Sequence, residues 1–281
     1  MTLSSAKTVR ILGRFGLYAT VIFLALFIIS PFLWVLVTSF QKTGYLMSVP
    51  PRISFREFNF EFYNQLFDDA NFRKALTNSI IVVSLATVFS MAICALGGYA
   101  VGTIRMRGKS TLLFGILVVQ LAPALAYLIP LYMMLRFLNI VDTYQGLVLV
   151  FLVFQVPIGI WILRGFFSSI PIELFDAARI DGCSRFGTFL RVGLPLARPG
   201  IVAVGIFNFI QGWNDLLIPL VVTIYKTTML TTYASAFGGL YNIDYGGATA
   251  VAVLSALPTI IVAVIFRKQL IVGLTAGAVK G

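Results

Sequence analysis

The chain has 281 residues, 59% of them hydrophobic and only 11% charged, with a mean hydropathy of +0.96 and a formal net charge of +11. Soluble domains carry about 25% charged residues, so these values exclude a soluble globular enzyme and indicate a polytopic membrane protein. Histidine is absent, which removes Ser-His-Asp and Cys-His catalysis, His-ligated metals and His proton relays.

In chain order, Lys7, Arg10 and Arg14 precede an apolar run from Ile11 to Phe40 that is too long for a signal peptide and lacks a small-residue cleavage site, so it reads as a retained first span. A bilayer core needs roughly 20 apolar residues per helix. Six runs qualify, at about 14–40, 76–104, 110–136, 145–168, 199–223 and 247–266. Gly98 and Gly102 make a GxxxG spacing in the second run, a mark of close helix packing either within the chain or with a partner. Pro31, Pro123, Pro130, Pro157, Pro219 and Pro258 are expected kinks or helix ends. With the N-terminus inside, fourteen of the 21 Lys and Arg residues fall on the cytoplasmic side, but only Glu173, Asp176 and Asp181 of the ten acids. The positive-inside rule therefore places both termini in the cytoplasm. The basic excess reports topology, and no nucleic-acid partner is expected.

Gly108-Lys109-Ser110 resembles the end of a phosphate loop, but the required earlier glycine is Thr103 and no strand precedes it. A Walker-type ATP site is excluded. Cys94 and Cys183 are read as structural, and no metal cluster is expected. Gln120 and Gln155 are lone amides beside prolines and are read as structural. The fifth run carries Asn208, Gln211, Trp213, Asn214 and Asp215, and three of these, Asn208, Gln211 and Asp215, share one helical face. That face either lines a path for a polar solute or joins helices near the outer interface. There are no paired carboxylates and no nucleophile with a base, so no catalytic residue is expected.

The segment 169–198 is a polar island between apolar runs. Pro171 and Glu173 start a helix, Leu174, Ala177, Ala178 and Ile180 continue it, and Gly182 ends it. A second helical stretch runs from about Ser184 to Val192 and on to Leu194-Pro195. Such a helix suits a groove on another protein, or lies on lipid headgroups as a connector.

Asp176-Ala177-Ala178, Gly182, Val192 and Leu194-Pro195 resemble, at matching spacing, the EAA signature of binding-protein-dependent ABC importer permeases. The family has Glu where Asp176 stands and Ile where Val192 stands. The ending from Gly273 to Gly281 is similar to the tail of maltose-type sugar permeases, and the resemblance covers roughly residues 75–281. It implies an all-α membrane protein with six transmembrane helices in the type I importer (MetI-like) architecture. The first helix and an extracytoplasmic connection would occupy 1–75, and a permease core 76–281, with a coupling loop at 169–198 and a tail at 267–281. The implied role is a sugar permease subunit, for di- or oligosaccharides first, then monosaccharides, polyols or a glycerol phosphate. The implied partners are a second homologous permease, a dimeric ABC ATPase that binds the ATP and Mg, and an extracytoplasmic solute-binding protein, in a bacterial or archaeal inner membrane. Glu173, Asp176, Ala177, Ala178, Asp181, Gly182, Leu194 and Pro195 would couple to the ATPase, leaving no cofactor in this chain. A self-sufficient secondary transporter is the alternative, disfavoured by the missing histidines and scarce intramembrane acids. A membrane-anchored scaffold using 169–198 only for recruitment is another.

Overall fold

The computed structural model describes residues 3–46, 48, 50, 52–104, 106–121, 123–238 and 245–269, and among these every regular element is helical. The chain divides into two units, Met1–Asp68 with Phe237–Leu254, and Asp69–Ala236 with Ser255–Gly281.

In the first unit, α1 (Leu3–Thr38) is apolar all round beyond Arg14. The most hydrophobic 18-residue window of Arg14–Thr38 has no buried residue among the described residues, as expected of a helix whose surroundings are lipid or another protein. Beyond it lie α2 (Thr43–Leu46) and α3 (Glu61–Asp68). Phe40 anchors this turn by meeting Phe58, Phe60 and Tyr63 at ring-centroid distances of 5.6, 5.3 and 5.2 Å. Ser39 Oγ and Tyr63 OH are hydrogen-bonded at 2.7 Å.

The second unit is built on α4 (Ala70–Thr103) and α7 (Tyr144–Ser168). Each has a side-chain cap: Asp69 accepts from Asn71 N at 2.8 Å, and Thr143 from Gly146 N at 3.1 Å. The GxxxG pair joins these two helices. A Cβ at Gly98 would lie 2.6 Å from that of Leu163, and one at Gly102 2.6 Å from that of Phe167. The small residues therefore serve packing within the chain. Both cysteines are free, and Cys94 is buried in the same interface. α11 (Arg198–Asn214) packs on the pair, with Gly205 against Met91.

Among the described residues four helices are long and apolar enough to span a bilayer: Arg14–Thr38, Ala70–Thr103, Tyr144–Ser168 and Tyr245–Ile265, the last being α14. A fifth candidate is a pair, Arg185–Leu196 with Arg198–Asn214, bent by 77°. The expected third run is not one helix but two, α5 (Lys109–Leu121) and α6 (Ala124–Phe137). Pro123 cannot donate to a helix running through it and takes the N-cap position of α6 instead. The expected fifth run also breaks. α11 stops at Asn214, Asp215 is extended, and α12 (Leu217–Val222) follows. Asp215 Oδ1 accepts from Ile218 N at 2.8 Å and so caps α12.

Candidate functional site

The expected docking helix is α8 (Ile172–Ile180). Glu173 lies in its first turn and Arg179 in its last, both favourable to the helix dipole. At its end Gly182 adopts φ +85°, Cys183 N donates to Ala178 O at 2.9 Å, and Gly182 N to Arg179 O at 3.0 Å. These two bonds form a Schellman cap, which needs the left-handed residue that glycine supplies without strain. Ser184 then caps α9 (Arg185–Thr188), and a π-helical turn over Phe189–Gly193 leads into α10 (Leu194–Leu196).

Phe175 and Ala178 face inward, whereas Glu173, Leu174, Asp176, Ala177, Ile180 and Asp181 are exposed. The two alanines thus sit on different faces, Ala177 outward and Ala178 inward. Phe175 is 1% exposed. Its ring meets Tyr99 at 5.7 Å, and Tyr99 meets Phe167 at 5.6 Å and Phe189 at 5.1 Å. α8 is therefore keyed to α4, α7 and the π-helical turn through one aromatic cluster. Asp176 pairs with Arg179 of its own helix at 3.8 Å. Leu194 is half-buried and Pro195 exposed.

The expected polar stripe divides. Asn208, Gln211 and Asp215 line one cavity of about 180 Å³, together with Gln120 and Gln155. Trp213 and Asn214 do not line it. Trp213 is buried and its Nε1 donates to Ser255 O at 2.8 Å. Asn214 Nδ2 reaches Ile210 O at 2.8 Å and Thr259 Oγ1 at 3.3 Å. Gln120 and Gln155 do bind helix carbonyls, Phe154 O at 3.0 Å and Asn208 O at 3.1 Å, yet both also face the cavity.

A polar latch absent from the sequence reading occupies the opposite end of α7. Asp142, at φ +56°, accepts from Tyr225 N, Lys226 N and Thr227 N at 3.0, 2.8 and 2.9 Å and from Thr227 Oγ1 at 2.8 Å. Burial pushes its carboxyl upward, but the backbone N–H groups and the hydroxyl outweigh that and hold it well below the usual carboxylate range. Asn78 Nδ2 donates to Lys226 O and Thr228 O at 3.2 and 2.9 Å, and Leu230 N donates to Ser79 Oγ at 2.7 Å. Tyr233, on α13 (Leu230–Ser235), donates to Asp69 Oδ2 at 2.6 Å. Burial first, then the carboxylate beside it, raise the Tyr233 phenol, and that same bond lowers Asp69. The only sequence signal was a short loop with Asn139 and Asp142, residue types that tolerate the left-handed region.

Residues 95–271 match the family described as binding-protein-dependent transport system inner membrane component. The chain belongs to this family. The match spans both the aromatic cluster from Tyr99 to Phe189 and the cavity, and it makes the chain a transport component, not an enzyme. This permease is 32% identical over 272 residues to the diacetylchitobiose uptake system permease protein DasC of Streptomyces coelicolor, covering 96% of this chain and 98% of the relative. It is 31% identical over 276 residues to the trehalose/maltose transport system permease protein MalG of Thermococcus litoralis, covering 97% and 99%. Its fold is similar to that of a chain in a bacterial ABC transporter involved in the import of the acidic polysaccharide alginate. The TM-score there is 0.78 at 23% identity, over 92% of this chain and 96% of that one. The resemblance to binding-protein-dependent permeases read from 176–195 is thus borne out.

Proposed function

We propose that this permease is the transmembrane subunit of an ATP-driven importer for a carbohydrate, a di- or oligosaccharide first. Its relatives' names and the cavity of amides and aromatic rings support that substrate class. In this reading the chain crosses a bacterial or archaeal inner membrane six times with both termini in the cytoplasm, the helix pairs α5–α6 and α11–α12 each serving as one broken span. It pairs with a second homologous permease and receives solute from an extracytoplasmic binding protein. A dimeric ATPase holds the ATP and Mg. The tail from Gly273 that would approach that ATPase lies outside the described residues.

The observation that carries the reading is the keying of Phe175 into the Tyr99–Phe167–Phe189 cluster. A force on α8 reaches α4 and α7 together instead of dissipating in a loop. Closure of the ATPase on Glu173, Asp176, Ala177, Ala178, Asp181 and Gly182 would then rock the bundle between inward-open and outward-open states. Leu194 and Pro195 carry the motion into α11, and Asn208, Gln211 and Asp215 line the path it opens.

Gly182→Val tests this. A Cβ at Gly182 meets nothing within 4 Å, so the cost inside the chain is the strain of a β-branched residue at φ +85°, about 1–3 kcal/mol. Sugar uptake by cells should be lost while the variant still co-purifies with its ATPase. Unchanged uptake would sink the coupling role.

A further inference from the structure

We infer that the groove where the turn between α4 and α5 meets the start of α8 holds the phosphate of an anionic phospholipid headgroup; naming the cytoplasmic leaflet as its source rests on the six-span reading above. The groove has a volume of about 620 Å³ and is lined by Thr103, Ile104, Met106, Arg107, Lys109 and Ile172. That volume lies within the roughly 300–1,000 Å³ of ligand pockets.

The charge of this wall is uncompensated. Arg107 is exposed and Lys109 half-buried, and among the described residues neither pairs with a carboxylate. Lys109 Nζ donates to Gly102 O at 3.4 Å, which engages one of its three protons and keeps the ammonium at the groove. Glu173 lines an adjoining recess that shares Gly102, Thr103 and Ile172, and does not belong to the cationic wall. Gly108-Lys109-Ser110, excluded above as a nucleotide loop, starts α5 here, with Leu112 N bonded to Gly108 O at 2.9 Å. The N–H groups of that first turn reinforce the side-chain charges without replacing them.

A soluble anion would meet the same charges, so depth decides the source. The outward apolar residues of α4 run from Ile80 to Leu96, about 24 Å at 1.5 Å per residue. A hydrocarbon core of about 30 Å centred on them ends roughly 3 Å past Leu96, and the headgroup layer fills about the next 5–7 Å. Thr103 lies about 10 Å past Leu96, level with the phosphates. The rest of a lipid has somewhere to go. Ile104, Met106 and Ile172 give the glycerol esters an apolar wall, and the exposed Leu112 and Phe114 of α5 give an acyl chain a surface leading into the bilayer. Basic pockets between helices at the cytoplasmic side take anionic headgroups in this way. Because Ile172 is the first residue of α8, a headgroup seated here braces the docking helix against the bilayer.

The test uses the intact importer, purified through this chain and held in nanodiscs of equal parts phosphatidylglycerol and phosphatidylcholine. Native mass spectrometry counts the lipids each complex keeps on release. Phosphatidylglycerol should be preferred about tenfold, and Arg107→Ala and Lys109→Ala should each cut that preference about fivefold, as expected of one cation at an anionic surface. Arg107→Lys should keep most of it. Arg185→Ala, which removes an exposed cation outside the groove, should change nothing. Arg107 is exposed, so its variants carry the test if Lys109→Ala fails to fold. Equal retention of the two lipids, a preference that survives Arg107→Ala, or an equal loss from Arg185→Ala would each overturn the site. Displacement of the lipid by millimolar glycerol phosphate would give the groove to a soluble phosphate instead. Loss of the ATPase from Arg107→Ala with the lipid kept would give the cation to the ATPase. The six-span reading fails separately, if Ser110→Cys in a Cys183→Ser background is labelled from outside intact cells by a membrane-impermeant maleimide.

Discussion

Where α7 leads into α8, the chain is held by rings: Phe167, Phe175 and Phe189 around Tyr99, with Asp176–Arg179 as a loose, exposed pair outside them. At its other end, about 37 Å away along a 25-residue helix, the chain is held by aimed hydrogen bonds: Asp142 on three successive backbone N–H groups, Asn78 on two carbonyls, Ser79 on one N–H. Ring contacts are weakly directional and survive small rotations, whereas a carboxylate with four donors has one geometry. The first joint suits an element that must transmit motion. The second suits a loop that must keep its place on the bundle. The same helix thus combines a compliant joint with a rigid one.

Breaking the aromatic joint should have the largest effect. Phe175→Ala empties a fully buried ring site, which costs about 4 kcal/mol, read as a lowered unfolding transition in detergent. Phe175→Leu should recover about half of that, and a full loss with Leu would mean the joint depends on ring geometry. Breaking the latch comes next. Asp142→Asn keeps one acceptor oxygen and the left-handed backbone but forfeits the charge, a loss of about 2 kcal/mol. Its pH dependence follows from the lowered folded-state pKa. The carboxylate's stabilisation is complete above the ordinary value of 3.8 and declines as pH falls below it toward the folded pKa. The stability gap between parent and variant should therefore be widest at neutral pH and shrink in acid. A gap constant from pH 7 to pH 3 would show that the charge is not what holds the loop.

The compliant joint was partly legible in the sequence and the rigid one was not. Pro171, Glu173 and Gly182 are local signals, each acting within one turn, and they marked α8 and its Schellman cap. The rings that hold it come from α4, α7 and α8 and carry no mark separating them from other apolar residues in the runs. Asp142 meets partners 83 to 85 positions away, and no local pattern encodes such a pairing. The breaks at Pro123 and Asp215 were hidden by hydropathy, which sums composition and does not register a lost N–H donor or a side chain that caps the next helix. Asn208, Gln211 and Asp215 were grouped by helical spacing and share the cavity. Trp213 and Asn214, from the same polar cluster, turn instead to Ser255 and Thr259.

The smallest expected effect sharpens the comparison most. Asp176 stands where the signature that 176–195 resembles has Glu, and its side chain is 57% exposed opposite Arg179 at 3.8 Å. An exposed pair of that length contributes about 0–0.5 kcal/mol. Asp176→Asn should therefore leave the unfolding transition of the purified chain where it was, in contrast to Asp142→Asn, although both remove one carboxylate. If polar groups on α8 serve a partner rather than the fold, the same variant should still lower sugar uptake in cells and weaken co-purification with the ATPase. A measurable loss of stability from Asp176→Asn would mean that α8 is held by charge as well as by rings, and the contrast between the two ends of α7 would collapse. Unchanged stability with unchanged uptake would preserve the contrast but remove Asp176 from the coupling surface.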